Sequence, residues 1–515
     1  MTRPNLSRRG LLAGSAALAG CLAVPGLSRA ASRPAITHGV QSGDIAHDSA
    51  VIWARADREC WMNVEWSTTE SFANAVAVQR LAVGPATGHA GKLLLTGLPA
   101  GQDIFYRVTM TNLGDVNAVS EPLVGRLRTA PAGLRDVTFV WSGDTAGQGW
   151  GIDESRGGML CYRTMLGHAP DFFIHSGDTV YADNPLKPEV TLKDGSVWRN
   201  LMIPEKAKVA ETLHEFRWQY LYNLMDSNLR DFNASVPMLA QWDDHEVTNN
   251  WYPTEILDDD RYSEKSVARL AARAARAFHE MLPTRTSLVE PHRVYRKVAY
   301  GPLLDVFFLD MRTYRGPNDG NRQPDGAPFL GPQQLAWLKR ELAASRALWK
   351  VIAADMPLGM IVYDDWRAKD SFENGANGDG PPLGRERDIA ALLSFIRHAR
   401  VRNTVWLTAD VHYCAAHHYS PDRAVFQDFA PFWEFVAGPI HAGTFGPNEY
   451  DNTFGPEVVF ARHPAPGQGV NLPPSEGMQF FGKVHIAADT GVMTVSLIDV
   501  ADRVLFSRQI EPERM

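Results

Sequence analysis

The chain comprises 515 residues, 45% of them apolar and 21% charged, so it can bury a large core and is long enough for more than one domain. A net charge of -8, with no basic stripe interleaved with stacking aromatics, excludes specific nucleic-acid binding and points to a small ligand.

Residues 1–30 read as an export leader. "SRRGLLAGSAALAGCLAVPGL" carries twin arginines, Arg8 and Arg9, before an apolar segment, and no acidic residue precedes Asp44. This resembles a twin-arginine signal peptide and makes the twin-arginine export machinery a partner. Cleavage is expected after Ala30, at "SRA"; "LAGC" ending at Cys21 resembles a lipoprotein box and is the competing site. The apolar run is too short and too Gly-rich for the ~20 residues of a spanning helix, so no transmembrane anchor is expected in a mature periplasmic or secreted chain. Losing Arg3, Arg8, Arg9 and Arg29 takes the charge from -8 to -12. Cleavage leaves Cys60, Cys161 and Cys414, without regular or metal-ligand spacing, so no disulfide framework is expected. Export of an already folded chain favours cofactor loading beforehand.

Residues 31–131 show short alternating strands ("SAVIWARA", "MNVEWST", "FYRVTM") between turn-rich stretches. They predict a small all-β sandwich, and "LTGLPAGQDIFYRV" resembles fibronectin type III and immunoglobulin-like modules. The alternative is that these strands extend the main sheet.

Residues 132–515 change grammar. Apolar strands ("VTFVWSGD", "DFFIHSGD", "VPMLAQWDD", "LLDVFFLD", "WKVIAAD", "NTVWLTAD") alternate with helical segments such as "EFRWQYLYNLMDSNLRDF", "SVARLAARAARAFHEML", "GPQQLAWLKRELAAS" and "RDIAALLSFIRHA". Alternation of this kind predicts an α/β layered domain. All these strands end in aspartate: Asp144, Asp178, Asp243 with Asp244, Asp310, Asp355 and Asp410. Ligands of α/β sheets bind beyond the carboxyl ends of strands, where converging carboxylates repel one another unless a cation intervenes. Aspartate is also a common turn starter and N-cap, the reading preferred for Asp310 and Asp355.

Four motifs concentrate the chemistry. In "SGDTVYAD", Asp178 offers two oxygens able to bridge two ions, with Tyr181 three residues on. A phenol, with a reference pKa near ~10, is a meaningful ligand only for a strongly Lewis-acidic ion such as ferric iron. "LTADVHYCAAHH" supplies Asp410 and His412, first-row metal ligands on one strand end, with His417 and His418 placed at the surface or behind the ligands. "WSGDTAGQGWG" supplies Asp144, and "QWDDHEVTNNW" supplies Asp244 and His245. The polar, Gly-rich "SFENGANGDGPPLGRE", residues 371–386, reads as a rim or lid.

The order "GD", "GDxxY", "DHE", "DxH" on successive strand ends resembles the calcineurin-like metallophosphoesterase superfamily, and more specifically its PhoD-type alkaline phosphatases and phosphodiesterases. "HGVQSGD", "FFLDMRTYR", "LGPQQLAWLKREL" and "FGKVHIAADTGVMTVSLID" extend the likeness over nearly the whole mature chain. The resemblance implies a four-layer α/β/β/α domain behind the β-sandwich. It also implies a binuclear centre in which Asp144, Asp178, Tyr181 and His412 hold one metal and Asp178 bridges to a second, held also by Asp244 and Asp410. Fe(III) with Ca(II) is the implied pair. Mg or Mn also suits the second site, and Asp144, where many PhoD-type relatives have cysteine, admits Mn or Zn at the first. His245 is the implied catalytic residue, protonating the leaving oxygen or bonding a phosphoryl oxygen, while Asp243 and Glu246 orient the others. Arg312 is assigned to the phosphate, with an ion pair to the acidic cluster as its alternative. The implied activity is hydrolysis of small phosphate monoesters or diesters by attack of a metal-bridging hydroxide. A phospholipase D-type activity on lipid head groups, favoured if Trp366 and Phe372 are accessible, and a non-catalytic metal- or phosphate-binding protein are the alternatives.

Overall fold

Apolar strands of the sequence assemble into two large sheets in the computed structural model, which describes residues 33–513. The expectations for Arg8, Arg9, Cys21 and Ala30 lie outside the described residues. No helix among the described residues is long and apolar enough to cross a membrane.

The first sheet has nine strands, in the order Val504–Ile510, Met493–Asp499, Phe480–Ile486, Val137–Ser142, Phe172–Ser176, Met238–Gln241, Ile36–Gly43, Ser49–Ala56 and Ala90–Thr96. The second has seven: Arg296–Ala299, Leu304–Phe308, Trp349–Ala353, Thr404–Thr408, Phe432–Val436, Cys414–Tyr419 and Pro456–Arg462. Val137–Ser142, Phe172–Ser176 and Met238–Gln241 run parallel, as do Leu304–Phe308, Trp349–Ala353 and Thr404–Thr408. Parallel pairing brings the carboxyl ends within each set to one edge.

Strand periodicity divides the apolar residues. Phe139, Ile174 and Leu239 of the first sheet share one cluster with Val306, Val351 and Val405 of the second, so one face of each sheet packs on the other. The opposite face of the first sheet (Val140, Phe173, Ala240) buries against Met165, Phe216, Phe232 and Phe278 of its helices. That of the second (Phe307, Ile352, Trp406) buries against Leu338, Leu342, Leu392 and Leu393. The stretch read as one helical segment around residue 225 is two helices, Leu213–Asn223 and Ser227–Ser235. Asp226 separates them, capping the second through a 3.0 Å bond from the Leu229 N–H to Oδ1.

The N-terminal all-β region divides between two sheets. Cys60–Ser67, Asp103–Asn112, Leu123–Arg128 and two short strands form a separate antiparallel sheet. Ile36–Gly43, Ser49–Ala56 and Ala90–Thr96 instead continue the nine-stranded sheet, joined to it where Gly43 pairs in parallel with Met238. The extension considered from the sequence therefore holds for these three strands. Alternation names a buried face and leaves the neighbour unspecified.

At this seam a Cβ on Gly43 would lie 2.4 Å from the Met238 carbonyl oxygen and 2.6 Å from that of Pro283, both backbone atoms that cannot step aside. Gly43→Ala should therefore lower unfolding stability by about 1–3 kcal/mol, measured by chemical denaturation; an unchanged midpoint would mean the seam is looser than these contacts imply.

Candidate metal centre

The strand ends converge. Asp144 follows Val137–Ser142, Asp178 follows Phe172–Ser176, Asp243 and Asp244 follow Met238–Gln241, and Asp410 and His412 follow Thr404–Thr408. All are buried except Asp410, which is partly buried. Asp144, Asp178, Asp410 and His412 have positive φ values of 68°, 52°, 65° and 59°. Left-handed backbone costs a non-glycine residue roughly 1–2 kcal/mol, so the surrounding packing must enforce each turn.

Two sets of ligand atoms are each mutually within 4.8 Å: Asp144, Asp178 and His412, and Asp178, Asp244 and His245. Asp178 belongs to both. His412 Nδ1 lies 2.5 Å from the Gly443 carbonyl, to which it donates, leaving the Nε2 lone pair 2.9 Å from the Tyr181 hydroxyl and 3.5 Å from Asp144 Oδ1. Asp410 falls outside both sets; its strongest charged neighbours are Glu373 and Asp243.

Electrostatics shows what this arrangement lacks. Neither carboxylate oxygen of Asp144, nor Oδ2 of Asp410, has a hydrogen-bond partner. Burial, then neighbouring carboxylates, pushes Asp144, Asp178 and Asp410 well above the usual carboxyl range. Burial and Asp178 likewise raise the Tyr181 phenol, so its ionisation demands a strong Lewis acid. Burial also drives Asp244 upward, but His245 and Arg312 outweigh it and bring the group below its ordinary value. The donor set therefore fits multivalent cations: oxygen-rich, under-bonded and short of positive charge. Space is matched too, since a Cβ on Gly438 would lie 2.2 Å from Asp144 Oδ2.

The remaining groups act on these. Burial disfavours a charged His245, yet Asp183 and Asp244 raise it to about 10. Its Nδ1 is 2.7 Å from Asp183 Oδ1, Nε2 is 3.9 Å from Asp244 Oδ1, and its ring stacks 4.2 Å from that of Tyr181. Asp183 Oδ2 in turn accepts the Asn249 N–H at 3.0 Å. Glu246 is fully buried and accepts from the backbone of Asp178 (3.2 Å), Thr179 (2.6 Å) and Asp243 (2.9 Å), tying two strand ends together.

The guanidinium of Arg312 is completely buried, donating through Nε to Asp243 at 2.6 Å and through Nη2 to Glu373. This is the ion pair with the acidic cluster, the alternative weighed for Arg312 from the sequence, and it leaves Nη1 without a hydrogen bond. Asp310 is a turn starter, accepting the Arg312 and Thr313 N–H groups at 3.1 and 2.9 Å. Asp355 is not one. Both its oxygens are buried without partners, 3.8 Å from Arg312 Nε at the nearest, inside the acidic cluster. His417 is buried, bonded to Glu434 at 2.9 Å and Tyr450 at 3.2 Å. The segment 371–386 is largely buried instead of forming a rim, and it delivers Glu373 to the site. Sequence reasoning passed over Asp183, although it ends the quoted motif "SGDTVYAD", and Glu373, for which no local signal exists.

Comparison with known proteins places the chain in a family. A family model described as PhoD-like phosphatase matches residues 139–497, and one described as PhoD-like phosphatase, N-terminal domain, matches residues 20–131. Alkaline phosphatase D of Bacillus subtilis (strain 168) is 28% identical over 449 residues, covering 81% of this chain and 71% of that protein. A solved structure of PhoD superposes with a TM-score of 0.69 at 21% identity, covering 96% of this chain and 94% of its own. The purple acid phosphatase PPD1 from yellow lupin (Lupinus luteus) seeds gives 0.57 at 13% identity, over 93% and 74%. The two structural likenesses bear on the fold alone.

Asp183→Asn would keep the shape but remove the negative charge beside His245 and leave one oxygen for two donors, the His245 Nδ1–H and the Asn249 N–H. It should lower kcat on a phosphate ester by about 10- to 100-fold, with metal content unchanged by elemental analysis; full activity would dissociate Asp183 from the reaction.

Proposed function

The chain belongs to the PhoD-like phosphatase family and is a phosphoric ester hydrolase, and from that premise we propose that it hydrolyses small phosphate monoesters, diesters or both at a binuclear metal centre shared through Asp178. The supporting observation is the membership of Asp178 in two close sets of buried ligand atoms. Asp144, Asp178, Tyr181 and His412 would hold one cation, and Asp178 and Asp244 the other, with Asp410, which lies outside the two close sets, as its further ligand. The phenol suits Fe(III) at the first position, with Mn or Zn compatible, and the all-carboxylate second position suits Ca(II), Mg or Mn. When bound, such a pair lowers the pKa of water from about 15.7 towards about 7 and offsets the charge of the phosphoryl oxygens.

The chain's own residues orient and move protons around that centre. Asp183 engages His245 Nδ1, leaving Nε2 to pass a proton to the departing alcohol oxygen. Stacking on Tyr181 restricts rotation of the imidazole. Glu246 fixes Asp178 relative to Asp243, and Arg312 holds the Asp243–Asp244 turn. Of the two apolar residues that would favour lipid head groups, Trp366 is 69% exposed whereas Phe372 is buried, so a small soluble ester is the substrate we infer.

We further read residues 1–30 as a twin-arginine leader, from Arg8, Arg9 and the acid-free apolar run that follows, which would place the mature enzyme in the periplasm or outside the cell. Residues 31–131 would form the N-terminal unit and 132–515 the catalytic one, with four α/β/β/α layers. The division of apolar residues into three clusters supports that layering.

Purified protein assayed on p-nitrophenyl phosphate and its bis ester, beside elemental analysis, should show turnover that a chelator abolishes. Fe(III) beside Tyr181 should give a visible tyrosinate charge-transfer band that Tyr181→Phe removes at full metal occupancy. A colourless, active, iron-free enzyme would overturn the iron assignment.

A further inference from the structure

A polar, glycine-rich segment ought to be solvated, yet in residues 371–386 Phe372, Glu373, Asn374, Asn377, Arg385 and Glu386 are all buried. Arg385 is fully buried, which is costly for a guanidinium unless its donors are satisfied. Its Nε donates to the Asn374 carbonyl at 3.0 Å, Nη1 to that of Pro317 at 2.7 Å, and Nη2 to that of Phe372. Its backbone N–H donates to Asn321 Oδ1 at 2.7 Å. Two of the three carbonyls thus belong to the residues on either side of Glu373. The Glu373 N–H is also held, donating to the Val362 carbonyl at 2.8 Å, and its own carbonyl accepts from Arg315. So placed, the Glu373 carboxylate takes the Nη2 of Arg312, whose Nε takes Asp243, the neighbour of Asp244.

We propose that Arg385 is a positioning residue for the reaction: its guanidinium grips the backbone on both sides of Glu373, Glu373 sets Arg312, and Arg312 sets the Asp243–Asp244 turn. The inference rests on the reading of that turn as part of the phosphoesterase centre. It turns on guanidinium geometry, because a planar fork can reach three carbonyls at once and an ammonium on a flexible stem cannot hold the same three in register.

Four variants test it: R385K, E373Q, the double variant, and R217K as a control. Arg217, remote from the centre, makes comparable buried bonds to Glu280 at 2.7 Å and the Ala86 carbonyl at 2.6 Å. The readouts are kcat and KM on p-nitrophenyl phosphate, binding of Mn(II) followed by electron paramagnetic resonance, and the thermal midpoint. R385K should lower kcat about tenfold with KM within about twofold, and should weaken Mn(II) binding about tenfold. E373Q should do the same, and the double variant should be no worse than E373Q alone, because the two act in series. R217K should shift the midpoint while leaving kcat and Mn(II) binding intact. Losses from R385K and E373Q that multiply, or a lowered midpoint in R385K without change in kcat or Mn(II) binding, would overturn the proposal. If R385K does not fold, Asn321→Ala, which removes the acceptor of the Arg385 N–H, should reproduce the pattern, and additivity with E373Q would count against it equally. A wild-type protein that binds Mn(II) but turns over no ester would defeat the phosphoesterase reading; the Mn(II) comparison would still decide the brace, non-additive losses upholding it and additive ones rejecting it.

Discussion

Repulsion among buried carboxylates is the constraint on which this molecule turns. Asp144, Asp178, Asp243, Asp244, Glu246, Asp355 and Glu373 are all out of solvent and Asp410 is partly buried, whereas the cations paired with them at short range are Arg312 and His245. Left to themselves, such groups neutralise by taking up protons, which is the direction in which burial drives Asp144, Asp178 and Asp410. Cations resolve the conflict without protonation. The two parallel strand sets, the left-handed turns at their ends and the Glu246 staple all serve to keep mutually repelling groups together.

This explains why so many neighbours of the ligands are themselves charged and hydrogen-bonded. Arg312 bonds Asp243 and Glu373, and Glu246 accepts from three backbone donors. A buried ion pair contributes little net stability against an apolar substitute, but removing one partner strands the other. The network therefore reads as a device for holding geometry, and its cost is met by the extensive apolar packing between and outside the sheets.

Much of the architecture was legible because local rules and global fold agree. Apolar runs ending in aspartate marked the parallel strands, and glycine or histidine beside those aspartates marked which ends carry chemistry. Legibility failed where a residue's role depends on distant contacts. Asp310 and Asp355 look alike in the sequence, each closing an apolar strand, yet one caps a turn and the other faces Arg312. Arg312 in "DMRTYRGP" was equally compatible with a phosphate contact and an ion pair, and the ion pair with Glu373 depends on a segment far along the chain. Composition placed residues 371–386 at the surface, because it registers glycines and polar groups without the carbonyl acceptors that make the burial of Arg385 tolerable.

The pairing of Gly43 with Met238 also orders events during synthesis. Ile36–Gly43 emerges early but finds its parallel partner only once Met238–Gln241 has left the ribosome, after Val137–Ser142 and Phe172–Ser176, the next two strands of the sheet, have been made. Until then the growing chain exposes the unpaired edge of Ile36–Gly43, a surface suited to chaperone capture. Closure of this seam is therefore a late step that waits on the body of the enzyme.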